Sequence, residues 1–132
     1  MIEPPFLSEA IILRLHKDQL ERFGGQDGIR DENSLKSAVA MPQAGLGGQF
    51  FRSYPYGMAA AYAFHIAENQ PFIDGNKRTA LAAALTFLEA CDISIEDPTS
   101  ALFDAMIALG NRQLSKDGLE QLFAKMAGRP KL

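Results

Sequence analysis

Two helical patterns joined by a short polar loop dominate the middle of this 132-residue sequence. Residues 59–69 repeat apolar side chains at helical spacing, and a second helical pattern covers residues 77–89. Pro71 ends the first helix, because the residue before a proline is driven out of the helical region of backbone conformation. The sequence therefore predicts a helix, a turn and a second helix whose N-terminus adjoins the loop.

The loop has the side chains of an anion-binding site at a helix N-terminus. Its sequence is Gln70-Pro71-Phe72-Ile73-Asp74-Gly75-Asn76-Lys77-Arg78. The Asp-Gly-Asn run is typical of a turn, and the helix that follows contributes about half a positive charge at its N-terminus. Gly75 allows the backbone to approach an anion closely, and Lys77 and Arg78 add positive charge. Arg78 is also suited to hold phosphate oxygens through two parallel hydrogen bonds.

Asp74 is a candidate metal ligand in the same loop. Mg²⁺ in proteins is commonly held by one or two carboxylates together with substrate phosphates. A plainer interpretation is that the loop only starts a helix and that Lys77 and Arg78 are solvated. The whole string of residues weighs against that interpretation.

The string resembles the motif of the Fic/Doc family, H-x-F-x-[D/E]-[G/A]-N-[G/K]-R. Phe72 and the run from Asp74 to Arg78 match the motif, and Lys77 is similar to the Doc branch of the family. The clear resemblance covers residues 59–88. Weaker similarity is found at Phe23-Gly24-Gly25, Gly28-Ile29-Arg30-Asp31 and Gly47-Gly48.

The resemblance implies a role for each matched position. Phe72 would anchor the loop in the core, Asp74 would bind Mg²⁺ and Arg78 would clamp phosphate. The nucleotide-binding anion nest would be formed by Gly75, Asn76 and Lys77. Family members use ATP: Fic proteins transfer AMP to a hydroxyl side chain, whereas Doc proteins transfer the γ-phosphate to the translation elongation factor that delivers aminoacyl-tRNA. Doc proteins are toxins, and their antitoxins inhibit them by folding a C-terminal segment onto them.

Gln70 departs from the family motif, which has a histidine at this position. The resemblance implies that this histidine removes the proton from the attacking hydroxyl. A glutamine amide can hydrogen-bond to a hydroxyl but has no nitrogen that accepts a proton near neutral pH. Because a general base contributes about 10²–10⁴-fold, we expect the chain to be inactive or impaired as an enzyme. The sequence leaves open whether Gln70 is natural or was introduced by mutagenesis.

Neither histidine is expected to replace the missing base. His65 precedes Gln70 by five residues, about one and a third helical turns, so it faces another direction and is interpreted as a helix-packing residue. His16 is placed at the polar edge of the first helix. Cys91, the single cysteine, is interpreted as a buried apolar residue near the end of the motif helix.

The rest of the sequence completes an all-α fold, a compact bundle of about six helices around a central motif helix. The N-cap residues of three other helices are predicted to be Ser8, Asp97 and Ser115, with Pro98 at the first position after Asp97, and a further helix is predicted to start near Asp31. Residues 43–55 predict a flexible loop or short hairpin. The resemblance implies a flap that aligns the target by strand addition; the alternative is a glycine-rich connector. We expect one domain over residues 1–127 and a frayed tail over residues 128–132.

Composition and charge restrict the partners. The net charge of −3 and the pI of about 5.3 argue against binding to nucleic acid or to an anionic membrane. The sequence has no leader pattern and no run of about 18 apolar residues, so we expect a cytoplasmic protein. The expected partners are a cognate antitoxin and a protein target.

Three functions remain open at this point. The first is a Doc-like toxin that uses ATP and Mg²⁺ to phosphorylate a protein hydroxyl and is impaired by Gln70. The second is a degenerate module that binds nucleotide or antitoxin without catalysis. The third is AMP transfer to a protein hydroxyl.

Overall fold

The computed structural model describes residues 3–97 and 99–128. Within these residues the chain forms six helices: α1 (Glu9–Phe23), α2 (Glu32–Ala40), α3 (Tyr56–Asn69), α4 (Asn76–Ala90), α5 (Ala101–Gly110) and α6 (Lys116–Ala127). A short 3₁₀ turn (Met41–Gln43) and two strands, β1 (Gly45–Leu46) and β2 (Gln49–Phe50), lie between α2 and α3. The prediction of an all-α bundle is confirmed. The predicted frayed tail lies outside the described residues from residue 129 onward.

The helices α3 and α4 pack side by side at the centre of the fold. The first half of α3 is buried on every side, and its alanines allow neighbouring helices to come close. α1 packs against α4, α2 and α6 pack against α3, and α5 contacts both central helices. The loop between α3 and α4 is therefore fixed at both ends by the central pair.

Local signals place most of the helix ends correctly. The side chains of Ser8, Asp31 and Ser115 each accept a hydrogen bond from a backbone N–H in the first turn of the following helix. Gly24 ends α1 with a φ of 79°. Cys91 follows the last residue of α4 and is half-buried against the core. No helix in the described part of the chain is both long and apolar enough to cross a bilayer.

The start of α5 differs from the prediction. The helix begins at Ala101 rather than directly after Asp97. The Asp97 carboxylate still caps the helix, because it accepts the N–H groups of Ala101 at 2.8 Å and Leu102 at 2.9 Å. It does so from a residue before the helical turn, a contact that sequence spacing does not specify. The predicted helical position of Pro98 lies outside the described residues.

The hairpin predicted within residues 43–55 is present. β1 and β2 pair antiparallel, with Gly45 opposite Phe50 and Leu46 opposite Gln49. Gly47 and Gly48 form the turn with φ values of 61° and 82°, which a two-residue hairpin turn of type I′ requires. The ring of Phe50 contacts Phe6 with their centroids 5.3 Å apart, so the hairpin is anchored to the segment before α1.

Candidate functional site

Gln70 ends α3 in a left-handed backbone conformation, with φ 47° and ψ 58°. Glycine adopts this conformation most readily. Of the remaining residues, asparagine, aspartate and histidine adopt it most often. The backbone at this position therefore suits the histidine of the Fic/Doc motif better than the glutamine found here. Gln70 is exposed and lies on the wall of the cavity beside the loop.

Phe72 and Asn76 close the loop upon itself. Phe72 is 1% exposed, which confirms its predicted role as the anchor in the core. The Asn76 side chain accepts the N–H of Phe72 at 3.0 Å and donates to its carbonyl at 3.0 Å. The side chain of Asn76 is thus used to shape the loop. Its backbone N–H remains to contribute to the anion nest that the sequence predicted.

The carboxylate of Asp74 is fixed beside the start of α4. One oxygen accepts the N–H of Gly75 at 2.9 Å, and the other accepts the N–H of Gln26 at 3.2 Å. Each carboxylate oxygen retains a further lone pair, and the side chain is exposed. A single ordered carboxylate beside an anion site fits Mg²⁺ that is held mainly by phosphates and water. Asp74 is therefore compatible with the predicted metal-binding role.

The N-terminus of α4 is open. Gly75 occupies the N-cap position with a φ of 79°, and no side chain among the described residues caps the helix. The N–H groups of Asn76, Lys77 and Arg78 have no hydrogen-bond partner within residues 3–97 and 99–128. The N–H of Gly75, which the sequence also predicted as an anion donor, is engaged by Asp74. The available donors are those of the first helical turn.

Arg78 lies between two features of the structure. One guanidinium N–H donates to the carbonyl of Gly24 at 3.2 Å, at the end of α1. Its central carbon lies 5.3 Å from the centre of the Phe23 ring. Arg78 nevertheless lines the cavity at the loop, and most of its donors have no partner among the described residues. Arg78 is placed to bind a phosphate in this cavity. To do so, its guanidinium would have to leave its contacts with Gly24 and Phe23 at the end of α1.

The cavity beside the loop has a volume of about 280 Å³. Its wall includes Gln70, Asp74, Lys77 and Arg78, and α5 contributes Phe103. Lys77 extends across the end of α5: a Cβ added at Gly110 would lie 2.9 Å from its Cε. The structure therefore brings together all the side chains that the sequence assigned to the site, around one cavity of mixed polarity.

The segment before α2 pairs with the loop along its outer edge. The N–H of Arg30 donates to the carbonyl of Pro71 at 2.7 Å, and the N–H of Ile73 donates to the carbonyl of Gly28 at 3.0 Å. The Arg30 guanidinium also donates to the carbonyls of Gln70 at 2.6 Å and Asn69 at 2.7 Å, at the end of α3. Arg30 is a site residue that the sequence reasoning missed. The weak resemblance at residues 28–31 was the only signal for it.

His16 was predicted to lie at the polar edge of α1, but it lies beneath the loop. It is 3% exposed, and its ring stacks on Phe72 with the centroids 3.7 Å apart and the planes 6° apart. Its Nε2 lies 2.8 Å from the carbonyl oxygen of Asp74, so the nitrogen carries the proton and donates. The prediction was wrong because this contact joins residues 58 positions apart. His16 therefore supports the backbone of Asp74, the candidate metal ligand.

His16→Phe is expected to keep the ring stack and lose the hydrogen bond to Asp74. The carbonyl of Asp74 would then lack its partner beneath the loop, which costs about 1–3 kcal/mol when no water replaces it. Urea denaturation should show a free energy of unfolding lowered by that amount. The exposed neighbour Lys17→Ala serves as control and should unfold like the parent. Equal stability of His16→Phe and the parent would contradict this role.

His65 faces away from the cavity at the loop, as predicted. Burial and the neighbouring cations Lys116 and Arg52 lower its pKa to about 4. The ring is therefore neutral at pH 7, and its Nε2 accepts a hydrogen bond from the Lys116 ammonium at 3.1 Å. His65 cannot serve as the base for a hydroxyl bound near Gln70.

The depressed pKa of His65 predicts acid-sensitive stability. The unfolded chain takes up a proton near pH 6.5, whereas the folded chain does so only near pH 4. The free energy of unfolding should therefore fall as the pH drops through this window, by about 1–2 kcal/mol after allowance for a half-exposed ring. Urea denaturation of the parent and of His65→Gln at pH 7.5 and pH 4.5 isolates the effect. The variant should lack this part of the pH dependence; the same dependence in both proteins would refute the assignment.

The fold and the loop together define a helical protein with an open N-terminus at the start of its central motif helix. Residues 6–88 match the Fic/DOC family, and the chain belongs to this family. It is 40% identical over 111 residues to a protein named Toxin Doc from Mycolicibacterium smegmatis, which covers 80% of this chain and 81% of that protein. It is 25% identical over 122 residues to the Protein kinase doc of Escherichia phage P1, covering 92% of this chain and 95% of that protein.

Proposed function

We propose that the chain is a Doc-like toxin of a toxin–antitoxin pair, built to transfer the γ-phosphate of ATP to a hydroxyl of a protein target. One observation carries the proposal: the open N-terminus of α4, the fixed carboxylate of Asp74 and the cations Lys77 and Arg78 surround a single cavity. The names of the two relatives, a toxin and a protein kinase, support it. The proposed target is the translation elongation factor that delivers aminoacyl-tRNA, and the proposed location is the cytoplasm.

Each residue has a part in this proposal. The N–H groups of the first turn of α4 bind phosphate oxygens, and Lys77 and Arg78 balance their charge. Asp74, held in place by Gln26 and His16, would hold Mg²⁺, which neutralises charge on the phosphates. Gln70 hydrogen-bonds the acceptor hydroxyl but cannot take its proton, so turnover is impaired.

Two alternatives compete with this proposal. The first is a binding module that retains nucleotide or antitoxin without catalysis, and Gln70 favours it. The second is AMP transfer, and Lys77 weighs against it because the AMP-transferring members of the family carry a glycine at this position. Restoring the base with Gln70→His and supplying ATP labelled at either the α- or the γ-phosphate separates all three. Label from the γ-phosphate supports the proposal, label from the α-phosphate supports AMP transfer, and no label supports the binding module.

The antitoxin has a candidate binding surface beside the site. A cavity of about 540 Å³ next to the loop is lined by Phe23, Leu81, Leu85 and Phe103, and it shares Arg78 with the phosphate site. An apolar helix that binds in this groove would also contact Arg78 and limit the movement of its side chain toward the phosphate site. Expression of the chain with its neighbouring gene should yield a complex. Recovery of the chain alone, with the neighbouring product soluble, would argue against the toxin–antitoxin assignment.

A further inference from the structure

A second polar cavity lies farther along α3 from the loop, beside the start of α6. Its volume is about 660 Å³, and its wall carries three cations, Arg52, Arg112 and Lys116. Two carboxylates, Glu68 and Asp117, also line it. The chain as a whole is acidic, with a net charge of −3, so this concentration of positive charge stands out. The balance of charge within the cavity decides what it can bind.

Lys116 is the one cation of this cavity that forms no ion pair with a carboxylate of the described residues. Arg52 pairs with Asp117 at 3.4 Å, and Arg112 pairs with Glu68 at 3.2 Å. Among the described residues, no carboxylate forms an ion pair with Lys116. Its hydrogen-bond partner is the neutral ring of His65. The cavity therefore has an uncompensated positive charge at the Lys116 ammonium.

The Lys116 ammonium is held ready to bind an anion. Besides its hydrogen bond to His65, it lies 4.8 Å from the centre of the Phe64 ring. Burial and Arg52 lower its pKa by more than Asp117 raises it, so the charged form is disfavoured at this position. It is also the first residue of α6, where a cation opposes the helix dipole. A carboxylate at this point would relieve both costs, and two of the three ammonium N–H groups remain to bind it.

The Lys116 cavity and the site at the loop share wall residues with a small cavity between them. A small cavity of about 70 Å³ between α3 and α5 shares Phe64, Glu68 and Leu109 with it. The same small cavity shares Gln70 and Lys77 with the cavity at the loop. These shared residues trace a groove along one face of α3 from Gln70 to Lys116, with a larger cavity at each end.

The length of the groove sets its register. His65, the partner of Lys116, precedes Gln70 by five residues, which correspond to about 7–8 Å along the axis of α3. An extended peptide advances about 3.3 Å per residue. The distance therefore spans about two to four residues of an extended peptide, once the reach of the lysine side chain is included.

We propose that the Lys116 cavity is a substrate subsite that binds an acidic side chain of the protein target, two to four residues from the hydroxyl presented at Gln70. This inference rests on the proposed function, because it requires a protein segment to lie in the groove. It adds a determinant of target choice at a distance from the phosphate chemistry. Arg52 and Arg112 hold the neighbouring carboxylates Asp117 and Glu68, which would otherwise repel the acidic residue.

A binding experiment tests the subsite without catalysis. The probes are nine-residue peptides with a central threonine and a glutamate three residues before or after it, each matched by a peptide with glutamine. Titration followed by amide NMR should give a Kd about tenfold lower for one glutamate peptide than for its glutamine match. The preference should vanish in Lys116→Gln and persist in Lys125→Gln, which makes the same charge change at the exposed far end of α6. Lys116→Glu should instead prefer a lysine peptide.

The same peptides separate the subsite from the proposed function. In the Gln70→His background, transfer from γ-labelled ATP should favour the glutamate peptide about tenfold in kcat/KM, mainly through KM. Equal transfer to both peptides would overturn the subsite while the kinase proposal stands. Binding that depends on Lys116, without transfer to any peptide or to the elongation factor, would support the subsite while the kinase proposal fails. Three binding results would overturn the subsite: equal binding of the glutamate and glutamine peptides, no binding of either peptide, or equally tight binding of free glutamate.

Discussion

Gln70→His is expected to raise phosphoryl transfer to the elongation factor by about 10²–10⁴-fold, the usual contribution of a general base. Most of the work in phosphoryl transfer is positioning and electrostatics, and the groups for both surround the cavity at the loop. The left-handed backbone at residue 70 accepts histidine without rearrangement. Purified protein with γ-labelled ATP measures the gain, and expression without antitoxin should become toxic.

Two control variants make this result specific. Gln70→Asn also favours the left-handed backbone but supplies no base, so it should stay as slow as the parent. Asp74→Asn in the restored protein keeps an oxygen that can accept the N–H of Gly75 or Gln26 but removes the carboxylate charge, so the gain should be lost. If Gln70→His shows no transfer to the purified target and no toxicity in cells, the enzyme proposal is wrong. The result would then support the alternative of a binding module without catalysis.

Arg78→Ala is expected to weaken the binding of ATP·Mg²⁺ by about 1.5–3 kcal/mol, the range for hydrogen bonds to charged groups. The parent should bind despite Gln70, because the first turn of α4 and Asp74 are intact. Arg78→Lys should fall between the two, since it retains a charge but loses the planar pair of donors. Titration calorimetry on the three proteins measures the series.

The position of Arg78 against α1 calls for a further control. Arg78→Ala also removes the contact with Phe23 and the hydrogen bond to Gly24. Phe23→Leu removes the ring contact alone, so it should leave ATP binding close to that of the parent or slightly tighter. If Phe23→Leu weakens binding as much as Arg78→Ala does, Arg78 acts by holding α1 and not by binding phosphate. If the parent does not bind ATP·Mg²⁺, the proposed nucleotide site is wrong.

The parts of the fold that sequence predicted well are those fixed by neighbouring residues. Ser8, Asp31 and Ser115 cap helices through bonds that span two or three residues. The turn at Gly47 and Gly48 follows from the need for positive φ at both positions. Seven of the nine residues of the loop line one cavity, and because they lie in one stretch of chain their convergence was predictable.

The parts that were missed depend on contacts between distant residues. His16 lies 58 positions from the carbonyl it supports, and Arg30 lies 40 positions from Gln70. A buried stacked histidine and an exposed polar one have the same appearance in a helical pattern, because periodicity does not show what a helix packs against. Lys116 is a similar case, since its partner His65 is 51 positions away.

The pairing of the loop with the segment before α2 limits how far this site can be moved between proteins. Arg30 holds the carbonyls at the end of α3, Gln26 holds Asp74, and His16 holds the turn from below. A graft of the helix–loop–helix alone onto a foreign helix pair would carry every motif residue and none of these supports. The smallest portable version of the site begins at α1, so exchange of the site during evolution or design must involve nearly the whole N-terminal two-thirds of the chain.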